Sequence, residues 1–284
     1  MAIDTNKVIK RNSTGVGDLI RDFWQSFIQE KVYNESVVRN LAGAVRYINA
    51  YGDGFSNTYQ WNISNGLVNP DFDVADSDIV LAQSEYSTTS GNVDAVMKGT
   101  FVSYREDVLS DQVQFIGTDI SNSLVAEMAK IENTMFFTKA LTAGEVTGAT
   151  VASPVSMTLE NLHLGVVDLE KANADALYIL MSPTTAHSIQ PELSDVSKSG
   201  DNSFLRRNAV GMLYGATVIK TNYLADGKVL FLGNEGFVHY DRLPYTLNIA
   251  KNSNINLTLE FAIKARFGIE LYRESNVKVG TYTL

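Results

Sequence analysis

Residue types that could carry out chemistry are few and widely spaced in this chain of 284 residues. The three histidines, His163, His187 and His239, lie far apart, and none has another potential metal ligand four positions further on. Ser182 lies near His187 but lacks the flanking glycines of a nucleophile elbow. We therefore interpret the histidines as structural residues, and we expect no metal and no cofactor.

Glycine and carboxylate patterns lead to the same expectation. Gly15-Val16-Gly17 has neither the preceding strand nor the third glycine of a dinucleotide-binding loop, and no Gly-Lys-Ser/Thr loop is present. Glu127 and Glu132 are five positions apart, so they do not share one face of a helix. We interpret each as a member of an ion pair, within a subunit or between subunits. The sequence does not predict an enzyme.

Composition excludes several further classes of protein. The net charge is −9 and the pI is about 4.9, with only short basic groups near Lys7 and at Arg206-Arg207, whereas sequence-specific nucleic-acid binding requires a concentrated basic patch. There is no cysteine, which excludes disulfides and is consistent with a reducing cytoplasm. No apolar run approaches the roughly 20 residues of a membrane span, so we expect a soluble protein.

Apolar periodicity predicts several helices. We expect helices over Asp18–Val32, over Glu35–Ala50 and over residues 158–174. The strongest pattern predicts a helix from a cap at Thr118 to Leu141, about 35 Å long at 1.5 Å per residue. Its apolar stripe consists of Ile116, Ile120, Leu124, Met128, Ile131 and Met135.

The predicted strands are also long. Ala176–Met181 is a continuous apolar run, which is typical of a buried strand. Apolar residues occupy every second position of residues 257–271, with mostly polar residues between them, and this pattern predicts an antiparallel strand of roughly 50 Å at 3.3 Å per residue. Val277–Leu284 predicts a last strand. Long elements of this kind bury their apolar faces poorly in a single copy and suit a subunit that lies edge to edge with other copies.

Residues 55–105 have a different character. Strand-like sequence at Thr58–Ile63 and at Val93–Tyr104 flanks a polar, turn-rich stretch of the kind that is uncommon inside a compact domain. We interpret the whole segment as a long projecting hairpin that lies on a neighbouring subunit.

Five segments, in the same order, resemble the tailed-bacteriophage major capsid proteins of the Hong Kong 97-type fold. The matching segments are Val108–Gln112 with the helix that contains Ile131–Phe137, Ala176–Thr185, Gly211–Val218, Phe231–Asn234 with Tyr240–Arg242, and Ala265–Ile269 with Val277–Val279. Ala216 and Thr217 replace the usual bulky residue and proline of the third segment. The resemblance covers about residues 35–284.

The resemblance implies an α+β fold with an N-terminal arm, an extended loop, a peripheral domain and an axial domain. The implied division is residues 1–52 for the N-terminal arm and helices, 53–106 for the extended β-hairpin loop, 107–157 for the peripheral domain with its spine helix, 158–250 for the axial domain, and 251–284 for the long closing strands of the peripheral domain.

The resemblance also implies self-assembly, without catalysis, into hexamers and pentamers of a closed icosahedral head shell around double-stranded DNA. It implies assembly in the host cytoplasm, a final location in the virion, and a separate scaffolding protein, a portal and decoration proteins as partners. The candidate contacts between subunits are Asn69, Pro70, Phe72, Lys98, Arg105, Glu127, Glu132, Arg206, Arg207, Lys264 and Arg266. Some capsids of this fold join a loop lysine to a neighbour's asparagine, but Lys98 and Asn276 alone do not predict that bond.

Two other functions remain open from the sequence. One is an encapsulin-like shell protein of a cellular nanocompartment, which has the same fold; the other is an α+β enzyme without a recognisable site. The long polar arm before the hairpin favours the phage subunit. Electron microscopy of the purified protein would separate the three through the presence, size and contents of closed shells.

Overall fold

The computed structural model describes residues 30–52, 54–68, 85–105, 113–189, 211–252 and 258–284. The predicted arm and most of the helix predicted over Asp18–Val32 lie outside these residues; the described part begins with a helical stretch over residues 30–35. No helix in the described ranges is long and apolar enough to cross a membrane.

Three helices follow in the described chain: α1, Val113–Ala140; α2, Leu159–Lys171; and α3, Pro183–Ser188. The predicted long helix is confirmed, but it begins five residues before Thr118, so Thr118 is not its cap. α2 begins at its cap Thr158, whose hydroxyl accepts a hydrogen bond of 3.2 Å from the Asn161 amide. α3 begins with Ser182 as cap and Pro183 in its first turn, as the sequence predicts.

The prediction of a helix over Glu35–Ala50 is wrong. A 3-10 turn at Val38–Asn40 is followed by strand β1, Val45–Asn49, which pairs in parallel with residues 237–241. The spacing of three between Val45 and Ile48 suits one face of a helix, whereas in β1 the two side chains lie on opposite faces, one toward α1 and the other toward the hairpin. β-Branched and aromatic residues favour a strand where a neighbouring strand offers hydrogen bonds. That neighbour lies almost two hundred positions away and is invisible to local pattern analysis.

One sheet has four strands in the order β1-β10-β11-β4, with β4 at Val96–Arg105, β10 at Phe237–Asn252 and β11 at Thr258–Leu271. The predicted long alternating strand is confirmed as β11. β10 continues through Pro244, because two register shifts between Asp241 and Thr246 accommodate the proline within the strand.

The projecting hairpin consists of β2, Thr58–Val68, and β3, Glu85–Asp94, which pair only with each other. The predicted return strand Val93–Tyr104 was therefore misplaced, since Val96–Arg105 turns away at Ala95 and pairs with β11. β3 was missed because most of its side chains are polar, as suits a strand that the subunit covers little.

A second sheet has six strands in the order β5-β12-β9-β6-β8-β7. Their bounds are Val155–Ser156, Val277–Thr283, Lys228–Gly233, Ala176–Met181, Ala216–Lys220 and Gly211–Leu213. β10 thus belongs with β11 in the four-stranded sheet, and β12 belongs with β9 in the six-stranded sheet. The border between the two sheets does not coincide with the predicted boundary at residue 250; the domain division itself stays a prediction.

The main core lies where α1 covers one face of the four-stranded sheet. Leu124 and Met128 of α1 share this core with Ile263 and Phe267 of β11, while Phe261 packs against its margin. The apolar stripe of α1 and the apolar face of β11, each predicted from its own periodicity, thus pack against each other. A second core joins α2 to the six-stranded sheet, where Phe231 lies so close to Gly165 that a Cβ there would stand 2.5 Å from the ring.

Candidate functional site: a buried charge network and the outer face of the sheet

A buried charge network connects three distant parts of the chain beneath the four-stranded sheet. Arg39 comes from the segment before β1, Glu132 from the middle of α1, and Asp241 from β10. The Arg39 guanidinium donates from Nε to Glu132 Oε1 at 2.7 Å, and from Nη1 and Nη2 to the two Asp241 oxygens at 2.8 and 3.1 Å. Such two-pronged contacts fix both the position and the orientation of the arginine.

His239 and Tyr245 complete the surroundings of Glu132. His239 Nε2 lies 2.6 Å from Glu132 Oε1, and Tyr245 donates from its hydroxyl to Oε2 at 3.3 Å. His239 Nδ1 lies 3.4 Å from Asp241 Oδ1 without a hydrogen bond. The side chains of His239 and Glu132 are completely buried, so the network belongs to the interior of one subunit.

The residue after Glu132 attaches the same N-terminal segment. The Asn133 side-chain oxygen accepts hydrogen bonds from the Val37 amide at 3.0 Å, the Val38 amide at 3.4 Å and the Ser36 hydroxyl at 3.3 Å. The segment that carries Arg39 is therefore held to α1 by backbone contacts as well as by charge.

The electrostatics of the network follow from its geometry. Burial by itself would raise the pKa of Glu132, but the hydrogen bond and electrostatic interaction with His239, together with the charge of Arg39, lower that pKa to about 2. Burial acts to lower the pKa of Arg39, yet Glu132 and Asp241 raise it above its usual value. Burial and the charge of Glu132 raise the pKa of the Tyr245 hydroxyl.

The lowered pKa of Glu132 predicts a loss of stability in acid. A carboxyl with a depressed folded-state pKa contributes stability that is complete above its unfolded pKa, here near 4.5, and is lost as the pH falls toward 2. We expect the difference in unfolding free energy between the wild type and Glu132→Gln to shrink by on the order of 2 kcal/mol between pH 6 and pH 3. Denaturant titrations of both proteins at each pH would measure it, and a difference independent of pH would contradict this assignment.

The face of the four-stranded sheet that points away from α1 has two parts. At the end near Phe237, the hairpin covers it. Toward the other end it is open: Phe101 is 67% exposed and Met97 is 44% exposed on the edge strand β4, beside the exposed Lys264 of β11. Apolar side chains in a row on an open edge strand are typical of an interaction surface.

In the part of the chain that the structure describes, no group of three or more His, Cys, Asp or Glu side chains is placed to hold a metal ion. The arrangement instead provides a rigid subunit with an open sheet face, an open edge and a protruding hairpin.

Comparison with known protein families establishes the family to which this chain belongs. A family model described as phage capsid protein matches residues 88–272. The chain belongs to the phage capsid protein family. It is a structural subunit of the capsid, the predicted major capsid protein, and its place is in the virion.

Solved structures agree in fold with this capsid protein. The mature capsid of bacteriophage PhiM1 matches at 10% identity and a TM-score of 0.63, covering 86% of each chain. A virus-like particle from Pyrococcus furiosus matches at 11% identity and a TM-score of 0.64, covering 92% of this chain and 98% of the other. A chain from Mycobacterium phage Che8 matches at 17% identity and a TM-score of 0.60, covering 79% and 84%. No curated protein matches the capsid protein by sequence. The predicted Hong Kong 97-type α+β fold is confirmed.

The two candidate glutamates of the capsid protein, Glu127 and Glu132, lie in different surroundings. Glu132 is paired inside its own subunit, so the intersubunit contact proposed for it is corrected: its carboxylate is buried and surrounded by Arg39, His239 and Tyr245. Glu127 is exposed on α1 and lies 3.6 Å from the Lys130 ammonium. It remains a candidate contact.

The basic candidates lie mostly on the four-stranded sheet. Lys264 and Arg266 are on its outer face, and Arg266 donates to the Asn57 side chain at 2.9 Å. Lys98, half-buried on β4, stands opposite Ala265 on the face toward α1. Arg105 is the last residue of β4 and pairs with residue 258, and its side chain lies outside the described part of the structure. The remaining candidates, Asn69, Pro70, Phe72, Arg206 and Arg207, lie outside the described residues.

Asn276 is buried in the capsid protein, and its side-chain nitrogen donates to the Asn234 carbonyl at 2.6 Å. Lys98 lies on the other sheet. The surroundings of Asn276 therefore give no support to a covalent bond with a neighbour's lysine.

Most of the buried network was not predicted from the sequence. Arg39 and Asp241 carry charges, which ordinarily face solvent, and no local pattern marks Tyr245 as their neighbour. One signal was available: Asp241 follows His239 by two positions in a strand, which places both side chains on the same face of the sheet.

Proposed function

We propose that copies of this chain form hexamers and pentamers that close into an icosahedral head shell around double-stranded DNA, and that the chain itself catalyses no reaction. The observation that carries the proposal is the open, apolar edge of the four-stranded sheet, with Phe101 and Met97 exposed beside a protruding hairpin. A neighbouring copy would cover this edge and remove the apolar surface from water.

We assign the roles of the parts from the resemblance to the Hong Kong 97-type fold. The hairpin β2–β3 corresponds to the extended loop, α1 with the four-stranded sheet to the peripheral domain, and the six-stranded sheet with α2 to the axial domain. In this assignment, β10 goes to the peripheral domain and β12 to the axial domain, following the sheets to which they are hydrogen bonded.

The partners of the shell are proposed on the same basis: a separate scaffolding protein, a portal and decoration proteins. The DNA would be enclosed without sequence-specific binding, since the chain has a net charge of −9 and counterions would accompany the packaged DNA. Assembly in the host cytoplasm is consistent with the absence of cysteine.

The candidate contacts between copies remain Asn69, Pro70, Phe72, Lys98, Arg105, Glu127, Arg206, Arg207, Lys264 and Arg266. We propose that the exposed Lys264 and Glu127 meet a neighbour, because both are charged, project from rigid elements and lie free of the core. Arg266 would instead help to hold the base of the hairpin through Asn57.

Shortening the hairpin tests the proposal. Replacing residues 65–87 with a two-residue Asn-Gly turn connects Ser64 to its cross-strand partner Thr88 and keeps the part of the hairpin nearest the sheet. We expect a folded subunit that forms no closed shells, because the residues that reach the neighbour are gone while both cores remain. Circular dichroism and negative-stain electron microscopy would measure the two properties.

Wild-type protein carried through the same purification is the control and should yield closed shells. Uniform shells from the shortened protein would contradict the role of the hairpin. A wild-type protein that stays monomeric at high concentration by light scattering would contradict the shell itself.

An encapsulin-like compartment is the second candidate. Encapsulin-like shell proteins have the same fold as the phage subunits, so the fold alone does not separate the two. The phage capsid family match favours the phage head. The contents of particles isolated from their natural source discriminate between the candidates, with DNA expected for the head and a packaged enzyme for the compartment.

A further inference from the structure

The stem of the hairpin packs with one face on the four-stranded sheet. Tyr59, Trp61 and Ile63 of β2 point toward the sheet, whereas Gln60 and Asn62 are exposed. On β3, Gly91 and Val93 lie on the covered face, and from Thr89 outward the described side chains are exposed. Among the side chains that the structure describes, contact with the subunit is therefore confined to the first residues of β2 and the last residues of β3.

An aromatic cluster of Tyr59, Trp61, Tyr240 and Tyr272 forms this contact. The Tyr59 ring stacks on Tyr240 at 5.6 Å between centroids, and also on Trp61 at 6.0 Å. Trp61 is 8% exposed, and its ring lies 5.7 Å from that of Tyr272 at the end of β11. The cluster joins the hairpin to two strands of the sheet, β10 and the end of β11, by large rigid side chains with few rotatable bonds.

Two glycines permit the close approach. Gly91 is the cross-strand partner of Trp61, and the indole lies over it. A Cβ at Gly91 would stand 2.5, 2.6 and 2.9 Å from three atoms of the Trp61 indole. A Cβ at Gly268 of β11 would stand 2.3 Å from the Asp94 carbonyl oxygen at the end of β3. Gly91 thus allows the Trp61 ring to lie across β3 within the stem, and Gly268 allows the end of β3 to approach β11; neither position admits a side chain.

Hydrogen bonds surround the same contact. The Tyr240 hydroxyl donates to the Ser56 carbonyl at 2.6 Å, and Arg46 donates to the Tyr272 hydroxyl at 2.8 Å. At the end of the stem, the Thr58 hydroxyl donates to the Asp94 carboxylate. Only the Tyr240 bond runs from the sheet to the segment that leads into β2; the Arg46 bond holds Tyr272 on the sheet side, and the Thr58 bond joins the two strands of the stem. The ring contacts and the Tyr240 bond together restrict the angle of the hairpin to the sheet.

We propose that the aromatic cluster is a positioning element for assembly, which fixes the angle of the hairpin to the four-stranded sheet before the subunit meets a neighbour. A two-stranded hairpin is only marginally stable by itself, so its direction must come from what its stem contacts. The subunit then determines where the hairpin reaches an adjacent copy, and thereby the curvature of the shell. This inference rests on the proposed shell function.

The test uses Gly91→Ala, whose added methyl group displaces the Trp61 ring, with Ser90→Ala as the matched control on the exposed face of the same strand. Because the chain has no cysteine, a pair of spin labels can be attached through Thr88→Cys on the hairpin and Thr134→Cys on the exposed side of α1. Electron spin resonance of the unassembled subunit then reports the distance between hairpin and helix, and electron microscopy reports the diameter of the shells.

We expect one narrow distance distribution for the wild type and for Ser90→Ala, and a shifted or broadened one for Gly91→Ala. We expect Gly91→Ala to give open sheets or shells of mixed diameter, and the double variant Gly91→Ala/Trp61→Phe, with its smaller ring, to recover both properties in part. If Gly91→Ala does not fold, Tyr272→Leu removes the ring contact from the other side and should shift the distance in the same way.

An unchanged distance distribution in the folded variant, or uniform shells of wild-type diameter, would overturn the positioning role. A broad distribution in the wild type would overturn it as well. Because the distance is measured in the unassembled subunit, failure of the wild type to form shells would count against the shell function alone.

Discussion

Arg39→Met is expected to lower the free energy of unfolding of the subunit by about 3–5 kcal/mol, which is the usual cost of breaking a buried ion pair by removing one partner. Arg39 binds both Glu132 and Asp241 with a side chain that is only 10% exposed. Without the guanidinium, two carboxylates remain buried without their cation. Denaturant unfolding of the unassembled subunit would measure the loss.

Lys130→Met is the matched control for this substitution. Lys130 also pairs with a glutamate, Glu127, but both side chains are more than half exposed, and such pairs contribute at most about 1 kcal/mol. Equal losses for the two substitutions would show that burial does not determine the strength of the network. In the double variant Arg39→Met/Glu132→Gln, part of the loss should return, since one unpaired charge is removed with its partner.

Phe267→Ala is expected to cost about 3–5 kcal/mol of folding stability, as is typical for a fully buried phenylalanine. Phe267 is completely buried in the core between α1 and the four-stranded sheet, and its ring stacks on His239 at 5.5 Å between centroids. The substitution therefore leaves a cavity beside the charge network. Phe261, on the same face of β11, is only half-buried, so its replacement by alanine should cost less than that of Phe267.

Lys264→Ala is the control on the opposite face of the same strand. It is exposed, so the loss of folding stability should stay under about 0.5 kcal/mol, while closed shells should form less well if a neighbour contacts this face. Thermal unfolding and electron microscopy of the same preparations separate the two effects. Equal and small losses of stability for Phe267→Ala and Lys264→Ala would contradict the assignment of the two faces.

The hairpin shows what a local sequence pattern can predict when the pairing of its strands is unknown. A polar, turn-rich stretch between two strand-like segments indicated a projecting element, and the structure contains one. The strand that returns, Glu85–Asp94, was missed because its polar side chains carry no periodicity of burial. Where a strand is held chiefly by backbone hydrogen bonds, its sequence is weakly constrained and gives a weak signal.

The segment Glu35–Ala50, which contains β1, shows the opposite case. Val45 and Ile48 fit a helical stripe, and the segment forms a strand because β10 has an edge to which it can bind. The same distant strand supplies His239 and Asp241, so the partners of Arg39 and Glu132 could not be read from their own elements. Glu132 was noticed as a charged residue on a helix, but its burial depends on how that helix sits on the sheet.

Three elements were predictable from local pattern: the long helix, predicted over Thr118–Leu141 and observed over Val113–Ala140, the alternating strand β11, and the apolar strand Ala176–Met181. The first two bury one side, which requires apolar residues at a period of 3.6 or 2, and the third is a continuous apolar run. The pairing of strands into sheets, the burial of the charged side chains and the position of Gly91 beneath Trp61 depend on the tertiary structure. These features depend on pairs of residues brought together from distant positions, and a local pattern contains only one member of each pair.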